Sequence, residues 1–481
     1  MEKTALTTGA TAKTSKSTSS YAAYVFWVLY AISFLNYLDR YVLAGAANVV
    51  AKELGFQLDG IGFITSAFII VYTLGALPLS LWADRSKRKN VVAVCVAFWS
   101  CATMVTALAV NFTTLFLSRM FLGVGEAGHF PAGTAMMSDY FRRERRSRIM
   151  SWWSTAQLFG ILGGYVAGGA LAGLFVGSWR LAFICTGVPG LVLAFLAWRM
   201  REPRRNQADE EARLDGLELP EEMASQAAPV ISGGTSSTSI QDMVKQIALQ
   251  IRDLLRIKTL AVLIIMQVFA FFVLGVNTTF LPTYLQQGDI YNMSSGQAGL
   301  YSGVIIVLAG IVGTSLGGFM ADWLNRKHGG ARVLVCGVGF LLSAPSFALA
   351  VTSRNLPIFT VFFVLTALLI TIYTGPSTAA TQDVVPSVMR ASAVGISLLL
   401  AHLLGDAFAP SLVGILATAF DPTHGQHFRN GMAGQDLSHA LLVSCVPALL
   451  IAGLLGVWGA RWMKSDVEAA ERADGAVIKN M

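Results

Sequence analysis

Long apolar segments separated by short polar loops run through most of the chain. Because an α-helix rises about 1.5 Å per residue, about 20 apolar residues are needed to cross a hydrocarbon core of roughly 30 Å. The pattern predicts twelve such segments in two sets of six, at residues 24–50, 60–83, 91–110, 113–140, 149–176, 181–200, 260–285, 297–324, 333–351, 357–380, 388–420 and 437–463. The predicted fold class is therefore an all-α membrane protein with twelve transmembrane helices.

Polar segments divide the chain further. Residues 1–20 are rich in Ser and Thr and are predicted to form a disordered tail, whereas residues 201–257 lose the apolar pattern and are predicted to be a linker. Within the linker, apolar side chains recur at helical spacing over about 240–256, which favours an amphipathic helix on the membrane face over a helix that docks a protein partner. The remaining predicted parts are an N-terminal six-helix bundle at 21–200, a C-terminal six-helix bundle at 258–463 and a tail at 464–481.

An internal repeat relates the two sets of helices. Asp84 and Asp322 each end a span, are followed four and five residues later by two bases, and lie 238 residues apart. An acid and a base seven residues apart also recur, at an offset of 244. These pairs are Asp139 with Arg146, and Asp383 with Arg390. Two matches at nearly one offset predict a duplicated unit, hence two pseudo-twofold-related bundles.

Composition and charge agree with a membrane protein and indicate its orientation. The chain is 54% hydrophobic and only 13% charged, with a mean hydropathy of +0.59, whereas soluble domains are about 25% charged. Of the 35 lysines and arginines, 29 lie in the termini and in alternate loops. By the positive-inside rule, both termini are expected to be cytoplasmic in the cell (inner) membrane. The net charge of +7 then reports orientation, and no nucleic-acid partner is expected.

Four charged residues lie well inside the apolar spans. Asp39 and Arg40 interrupt the first span, while Arg119 and Glu126 lie seven residues apart on one face of the fourth. A charge at that depth costs at least roughly 2.5 kcal/mol unless it faces protein, water or a partner charge. The four charges are therefore predicted to share an inward face that lines a water-filled cavity. The alternative is a structural ion-pair network without a role in transport.

The repeated loops at 80–89 and 318–327 resemble the signature loops of the major facilitator superfamily. Ser80 and Lys87 stand where the family pattern has glycines. The resemblance implies cytoplasmic gates that close the inner side, and the alternative is that the bases only anchor the topology. The expected gate residues are Asp84, Arg88 and Arg146 in the first half and Asp322, Arg326 and Arg390 in the second, with Asp84 meeting Arg146 or a helix end and Asp322 paired with Arg390.

Three motifs resemble the Spinster branch of that superfamily, at residues 36–40, 123–127 and 401–410. In line with this resemblance, Asp39 and Glu126 are expected to be the protonatable pair, balanced by Arg40 and Arg119. The resemblance also implies amphipathic lipid substrates, such as lysophospholipids or sphingosine phosphate. Export of a lysolipid or another amphipathic anion is the first prediction. The alternative substrate is a small organic acid or sugar acid, because other branches share the Asn-Tyr-x-Asp-Arg motif.

The energy source follows from what the sequence lacks. No Walker-type phosphate loop, nucleotide fold or metal-ligand spacing occurs, so ATP is not expected to drive transport directly and an ion gradient is the expected energy source. With Asp39 and Glu126 as the protonatable pair, the expected mechanism is alternating access coupled to a proton gradient, with no cofactor or metal. Burial raises the proton affinity of a carboxylate and a nearby arginine lowers it, so such a group can switch charge state. Arg40 or Arg119 would then bind an anionic substrate, with Tyr37 and Asn277 beside it, and protonation of Glu126 is expected to free Arg119.

Other classes of function fit less well. An intramembrane enzyme would need a nucleophile or metal constellation, which does not stand out, and a channel would make little use of paired gates. The chain is expected to be a monomer whose partners are its substrate and the bilayer. His129 is predicted to be a packed polar residue, while the roles of His402 and Asp406 stay open.

Overall fold

The computed structural model describes residues 6–204, 207–208, 249–326, 328–423 and 425–479, and its regular structure is helical throughout. The chain forms two compact units. Unit 1 comprises Met1–Leu54 and Val71–Glu218, and unit 2 comprises Gly55–Ile70 and Leu219–Met481. The division differs from the predicted bundles at 21–200 and 258–463, because the segment Gly55–Ile70 groups with the second unit.

The helices that precede the linker are seven in the described residues. They are α1 (Leu6–Leu54), α2 (Leu58–Arg85), α3 (Arg88–Thr106), α4 (Phe112–Glu126), α5 (His129–Tyr140), α6 (Arg143–Ala172) and α7 (Trp179–Arg199). α2 begins in unit 2 and ends in unit 1.

The helices that follow the linker all belong to unit 2. They are α8 (Lys258–Leu285), α9 (Ser295–Asn325), α10 (Ala331–Thr352), α11 (Leu356–Thr371), α12 (Thr374–Asp383), α13 (Arg390–Ala401), α14 (Ala409–Phe420), α15 (Gln426–Arg429), α16 (Gly434–Gly459) and α17 (Met463–Lys479). A π-helical turn at His402–Asp406 joins α13 to α14, and short 3₁₀ turns precede α13 and α17.

The fourth predicted span is broken in the structure. Eleven helices of the described residues are long and apolar enough to cross a membrane, but α4 has 15 residues and α5 has 12. Pro131 explains the break, because proline has no N–H for the carbonyl four residues earlier, here that of Ala127, and its ring clashes with that carbonyl. α4 and α5 together cover the span predicted at 113–140, with a break at residues 127–128 between them.

Several terminal and linker predictions meet the structure only in part. α1 begins at Leu6, within the segment expected to be disordered, since a helix extends from an existing one without a new nucleus. Of the amphipathic helix predicted at 240–256, residues 249–255 are helical and 240–248 lie outside the described residues. The predicted tail at 464–481 contributes most of α17.

A row of glycines on α6 packs against α1 and fixes the position of the charged residues. Gly160, Gly164 and Gly168 face the backbone of α1 at Phe34, Leu38 and Val42. A Cβ at Gly164 would lie 2.6 Å from the carbonyl oxygen of Leu38, closer than a real Cβ approaches an oxygen. Small residues four apart thus let two helix backbones meet.

Candidate functional site

An ion pair in the interior of unit 1 joins α1 to α4. Glu126 Oε2 accepts hydrogen bonds from Arg40 Nη2 at 2.9 Å and from Arg40 Nε at 3.2 Å. The Glu126 side chain is fully buried and the Arg40 side chain is 18% exposed. Two hydrogen bonds between opposite charges are the strong kind, so this contact holds both side chains in place.

Aromatic rings complete the surroundings of Arg40. Its guanidinium carbon lies 5.1 Å from the ring centroid of Tyr37 and 4.5 Å from that of Tyr72. Both distances are within the range of cation–π attraction. Tyr37, predicted to bind substrate or balance charge, therefore lies beside the ion pair.

The second acid and base of the cluster are also buried but do not pair through their side chains. Arg119 Nη1 donates to the backbone oxygen of Asp39 at 3.3 Å, and the guanidinium lies 4.7 Å from the ring centroid of Phe183. Asp39 Oδ2 accepts a hydrogen bond from Thr103 Oγ1 at 3.4 Å. This distance is longer than the roughly 2.5–3.0 Å usual for an O–H···O hydrogen bond, so Thr103 holds the Asp39 carboxyl group only weakly.

Several polar atoms of this cluster have no hydrogen-bond partner among the described residues. They are Asp39 Oδ1, Glu126 Oε1, Arg119 Nε, Arg119 Nη2 and Asn36 Nδ2. Each such atom costs about 1–3 kcal/mol when it is buried without a partner. Native proteins hold few of these atoms, and a group of them marks a place where a water, a proton or a bound molecule completes the hydrogen bonding. This cluster, Asp39–Arg40–Arg119–Glu126, is the candidate site.

One predicted pairing is wrong. The sequence suggested that Glu126 restrains Arg119, so that protonation would free Arg119, but Glu126 binds Arg40 in the structure. The reason is distance, because seven residues of helix separate Arg119 from Glu126 by about 10 Å along the axis of α4. Arg40, from the neighbouring helix, reaches the carboxylate directly.

His129 lies beside the cluster and contacts its neighbours as a packed polar residue would. Its Nε2 lies 3.1 Å from Ser33 Oγ, and its ring meets Trp99 edge-on at a centroid distance of 5.4 Å. The side chain is 1% exposed. The contacts agree with the interpretation drawn from the sequence.

The first residue of α3 takes part in an ion pair that sequence reasoning missed. Arg88 contacts the carboxylate of Asp139 on α5. Arg146 Nη2 donates to the backbone oxygens of Ser138 at 2.5 Å and Phe141 at 3.2 Å, which satisfies carbonyl groups at the end of α5. Asp84 is exposed near the end of α2, and its meeting with Arg146 in a closed gate stays a prediction.

Unit 2 repeats these contacts at an offset of 244 residues. The ion pair Arg88–Asp139 in unit 1 corresponds to the ion pair Arg332–Asp383 in unit 2. The contact of Arg146 with the backbone oxygen of Ser138 corresponds to that of Arg390 Nε with the backbone oxygen of Gln382, at 3.0 Å.

The repeat changes two of the gate assignments. Asp322 Oδ1 accepts a hydrogen bond from Arg332 Nη2 at 3.2 Å, so its partner in this structure is Arg332 and the predicted partner Arg390 binds a backbone oxygen. Arg326, predicted as the counterpart of Arg88, is exposed at the end of α9. Arg332 holds the position that corresponds to Arg88.

Two further polar features lie in unit 2. Asn277, predicted to line the site, donates from Nδ2 to the backbone oxygen of Val273 on its own helix, at 2.7 Å. His402 Nδ1 lies 3.0 Å from Asp406 Oδ2 within the π-helical turn, and Phe271 meets the imidazole edge-on at 4.8 Å. π-helical turns occur often at functional sites, and the spacing of four between His402 and Asp406 was the available signal in the sequence.

Comparison with known proteins decides the family. The sequence model of the Major Facilitator Superfamily matches residues 29–410. The chain belongs to this superfamily. Protein spinster of Drosophila melanogaster is 26% identical to it over 395 residues, which cover 80% of this chain but only 60% of the fly protein.

Other relatives and a solved structure agree with this assignment. The probable L-galactonate transporter of Escherichia coli K12 is 28% identical, and the match covers 81% of this chain and 81% of that protein. The sphingosine-1-phosphate transporter SPNS2 of Xenopus tropicalis is 25% identical, and the match covers 92% of this chain and 82% of that protein. A bacterial homologue of the human lysosomal transporter Spinster, crystallised inward-facing and unoccupied, has a TM-score of 0.78 at 23% identity, and the match covers 93% of this chain and 98% of that one.

The superfamily assignment confirms several predictions. The chain is a Spinster-like member of the Major Facilitator Superfamily, with the twelve-helix fold of that family. It is a multi-pass membrane protein that transports a small molecule, and it is not an enzyme.

Proposed function

We propose that this superfamily member couples transport of an amphipathic anion to a proton gradient, with Asp39 and Glu126 as the proton-accepting groups. The observation that carries the proposal is the fully buried Glu126 carboxylate bound to Arg40, beside an Asp39 whose Oδ1 has no partner among the described residues. Ionisable residues within membrane spans commonly mark proton relays and substrate pathways.

Exchange of counter-charge supplies a coupling mechanism. While Glu126 is ionised, it holds the guanidinium of Arg40 through two hydrogen bonds. A proton on Glu126 cancels that charge, so Arg40 needs a new anionic partner, and the anionic group of a substrate can take the place. Arg119, with Nε and Nη2 unpartnered among the described residues, can bind a second oxygen of the same group.

Alternating access and orientation complete the proposal. The two units open the site to one side of the membrane and then the other, with gates built on the repeated arginine–aspartate contacts. The positive-inside rule supports cytoplasmic termini and a place in the cell (inner) membrane. The chain works as a monomer, and the proton gradient replaces any cofactor.

A lysolipid or another amphipathic anion is the preferred substrate, moved outward. One relative is a sphingosine-1-phosphate transporter, which supports this class, while the probable L-galactonate transporter supports a sugar acid as second candidate. One N–H of the Asn277 amide donates to its own helix, which leaves one hydrogen-bond donor fewer for a polyhydroxylated substrate. Both substrates carry one negatively charged group for the arginines.

Flux measurements in proteoliposomes test the proposal. With lysophosphatidate, sphingosine-1-phosphate and L-galactonate as probes, an imposed pH gradient is expected to accelerate flux of one class at least tenfold in the native chain. Asp39→Asn and Glu126→Gln are expected to abolish this acceleration and to keep counterflow exchange. Glu53→Gln is the matched control, because Glu53 also lies on α1 and pairs with an arginine, Arg180, outside the cluster.

The result that would contradict the proposal is an unchanged pH-driven flux in both acidic variants. A thermal-shift screen of the same probes at two pH values identifies the substrate class before the flux work.

A further inference from the structure

A second cluster of potential ligands lies in unit 2 and shares no residue with the charged cluster of unit 1. Three segments meet there: the residue after α14, the short α15, and the first turn of α16. They bring together Asp421, His427 and Asp436, whose ligand atoms all lie within 4.8 Å of one another. Within the described residues, this is the group of three His, Cys, Asp or Glu side chains arranged to hold a metal ion.

The distances in this cluster fit a small coordination sphere. His427 Nδ1 lies 2.9 Å from Asp436 Oδ2 and 3.3 Å from Asp421 Oδ1. Zinc binds nitrogen and oxygen ligands at about 2.0–2.2 Å, so two ligands of a tetrahedral ion lie roughly 3.3 Å apart. The three side chains can therefore surround one ion with little movement.

Charge in the cluster favours a cation. The carboxylates of Asp421 and Asp436 are 3% and 8% exposed, and the base that pairs with them among the described residues is the imidazole of His427. A third carboxylate, Asp289, caps the start of α16 by accepting hydrogen bonds from the N–H groups of Gly434 and Gln435. One imidazole carries at most one positive charge, so three carboxylates leave an excess of negative charge in a half-buried place.

Local backbone holds one ligand ready. The carboxylate of Asp421 accepts hydrogen bonds from the N–H groups of Thr423 and Gly425, both at 2.7 Å. Gly425 has φ +98°, a left-handed conformation that favours glycine, and it closes the turn around the carboxylate. Metal-binding carboxylates are usually oriented by such outer hydrogen bonds.

We propose that Asp421, His427 and Asp436 bind one divalent transition-metal ion, such as Zn²⁺ or Mn²⁺. One imidazole nitrogen with two carboxylate oxygens suits these ions, whereas calcium requires six to eight oxygen ligands. The ion ties the end of α14 to the start of α16. This site is independent of the proposed proton coupling, because it shares no residue with the charged cluster.

Sequence reasoning expected no metal site here. The three ligands lie at spacings of six and nine residues, outside the short repeated spacings by which metal sites are recognised in a sequence. Only the fold of the connection between α14 and α16 brings them together.

Zinc and manganese binding to the full-length chain tests the inference. The protein is purified in detergent with a tag that lacks histidine, stripped with EDTA and titrated with ZnCl₂ or MnCl₂ by calorimetry, with elemental analysis for stoichiometry. One ion per chain is expected for the native protein. His427→Ala and Asp436→Asn are each expected to weaken metal binding about 100-fold. Loss of a residue that hydrogen-bonds a ligand already lowers metal affinity by about 10–100-fold, and loss of a ligand itself is expected to lower it at least as far.

His439→Ala is the matched control. His439 is exposed on α16 one turn beyond Asp436 and lies outside the cluster, so affinity is expected to stay within about threefold. Size-exclusion chromatography and circular dichroism of the metal-free variants check their fold. Co²⁺ adds a readout on the native chain that needs no variant, because a tetrahedral N/O site gives intense visible absorption.

Two results would overturn the inference. The first is no saturable one-to-one binding of Zn²⁺ or Mn²⁺ by the native chain, in which case His427 is simply the ion-pair partner of its two aspartates. The second is equal affinity in the native chain and both ligand variants, which means an adventitious ion only.

Discussion

Arg40 and Glu126 form an ion pair in the interior of unit 1, where the loss of one side chain leaves the charge of the other without a counter-charge. Glu126 is fully buried, so removal of the guanidinium leaves a carboxylate without its counter-charge. We expect Arg40→Met to destabilise the protein by about 3 kcal/mol, the lower value typical of a broken buried ion pair. Thermal unfolding in detergent, followed by intrinsic fluorescence at neutral pH, measures the change.

A double variant separates charge from packing. In Arg40→Met with Glu126→Gln no uncompensated charge remains, so we expect most of the lost stability to return, although transport stays absent. A double variant as unstable as Arg40→Met alone would assign the loss to the contacts of Arg40 with Tyr37 and Tyr72, and not to the charge.

The identity of the charged residues could be predicted from the sequence, but their partners could not. Asp39, Arg40, Arg119 and Glu126 stand out because a charge within an apolar span is costly wherever it lies. Pairing depends on which side chain reaches across from the neighbouring helix, and the sequence holds no measure of that distance. The sequence therefore predicts that protonation of Glu126 frees Arg119 on its own helix, whereas the side chain bound to Glu126 in the structure is that of Arg40.

At the scale of elements, the glycines of α6 decide how close α1 lies to its neighbour. A Cβ at Gly164 would lie 2.6 Å from the Leu38 oxygen, whereas a Cβ at Gly318 on α9 meets nothing within 4 Å. We expect Gly164→Ala to destabilise unit 1 by about 1–3 kcal/mol, because the helices must separate. Gly318→Ala is expected to be neutral or to stabilise by up to about 1 kcal/mol, through the better helix propensity of alanine.

Thermal unfolding of the two glycine variants, compared under the same detergent, checks this expectation. Because Gly164 faces the part of α1 that carries Asp39 and Arg40, Gly164→Ala is also expected to lower flux more than Gly318→Ala does. Equal unfolding temperatures for the two variants would mean that α6 moves away from α1 at little cost.

Helices and their breaks differ in how well the sequence predicts them. The length and apolar character of the spans follow from the bilayer, so most predicted segments lie within a few residues of the observed helices. The break at residues 127–128 was missed, although Pro131 marks it, because apolar residues continue across it. The π-helical turn at His402–Asp406 also lies within a continuous apolar span, so the hydropathy pattern cannot reveal it.

At the scale of the whole molecule, one offset orders both units. The contacts Arg88–Asp139 and Arg332–Asp383 lie 244 residues apart, as do the arginine–carbonyl contacts at the ends of α5 and α12. The repeat in the sequence had two slightly different offsets, 238 and 244. The six-residue difference reflects a longer second loop, and it led the prediction to Arg326 where the structure places Arg332.

The orientation of the molecule gives the last prediction. An even number of crossings places both termini on one side, and 29 of the 35 basic residues lie in segments assigned to that side. We expect Ala473→Cys on α17 to react with a membrane-impermeant maleimide only in inverted vesicles, and Val176→Cys, in the loop between α6 and α7, only in intact cells. Val176 is 90% exposed and Ala473 is exposed, so neither side chain is shielded by the fold. The five native cysteines are replaced first, and labelling after detergent treatment confirms that both new thiols are reactive.

A charge bias of this size sets orientation through the loops nearest the spans. Labelling of Ala473→Cys in intact cells would therefore reverse the proposed orientation, and with it the assignment of the repeated arginine–aspartate contacts to the cytoplasmic gate.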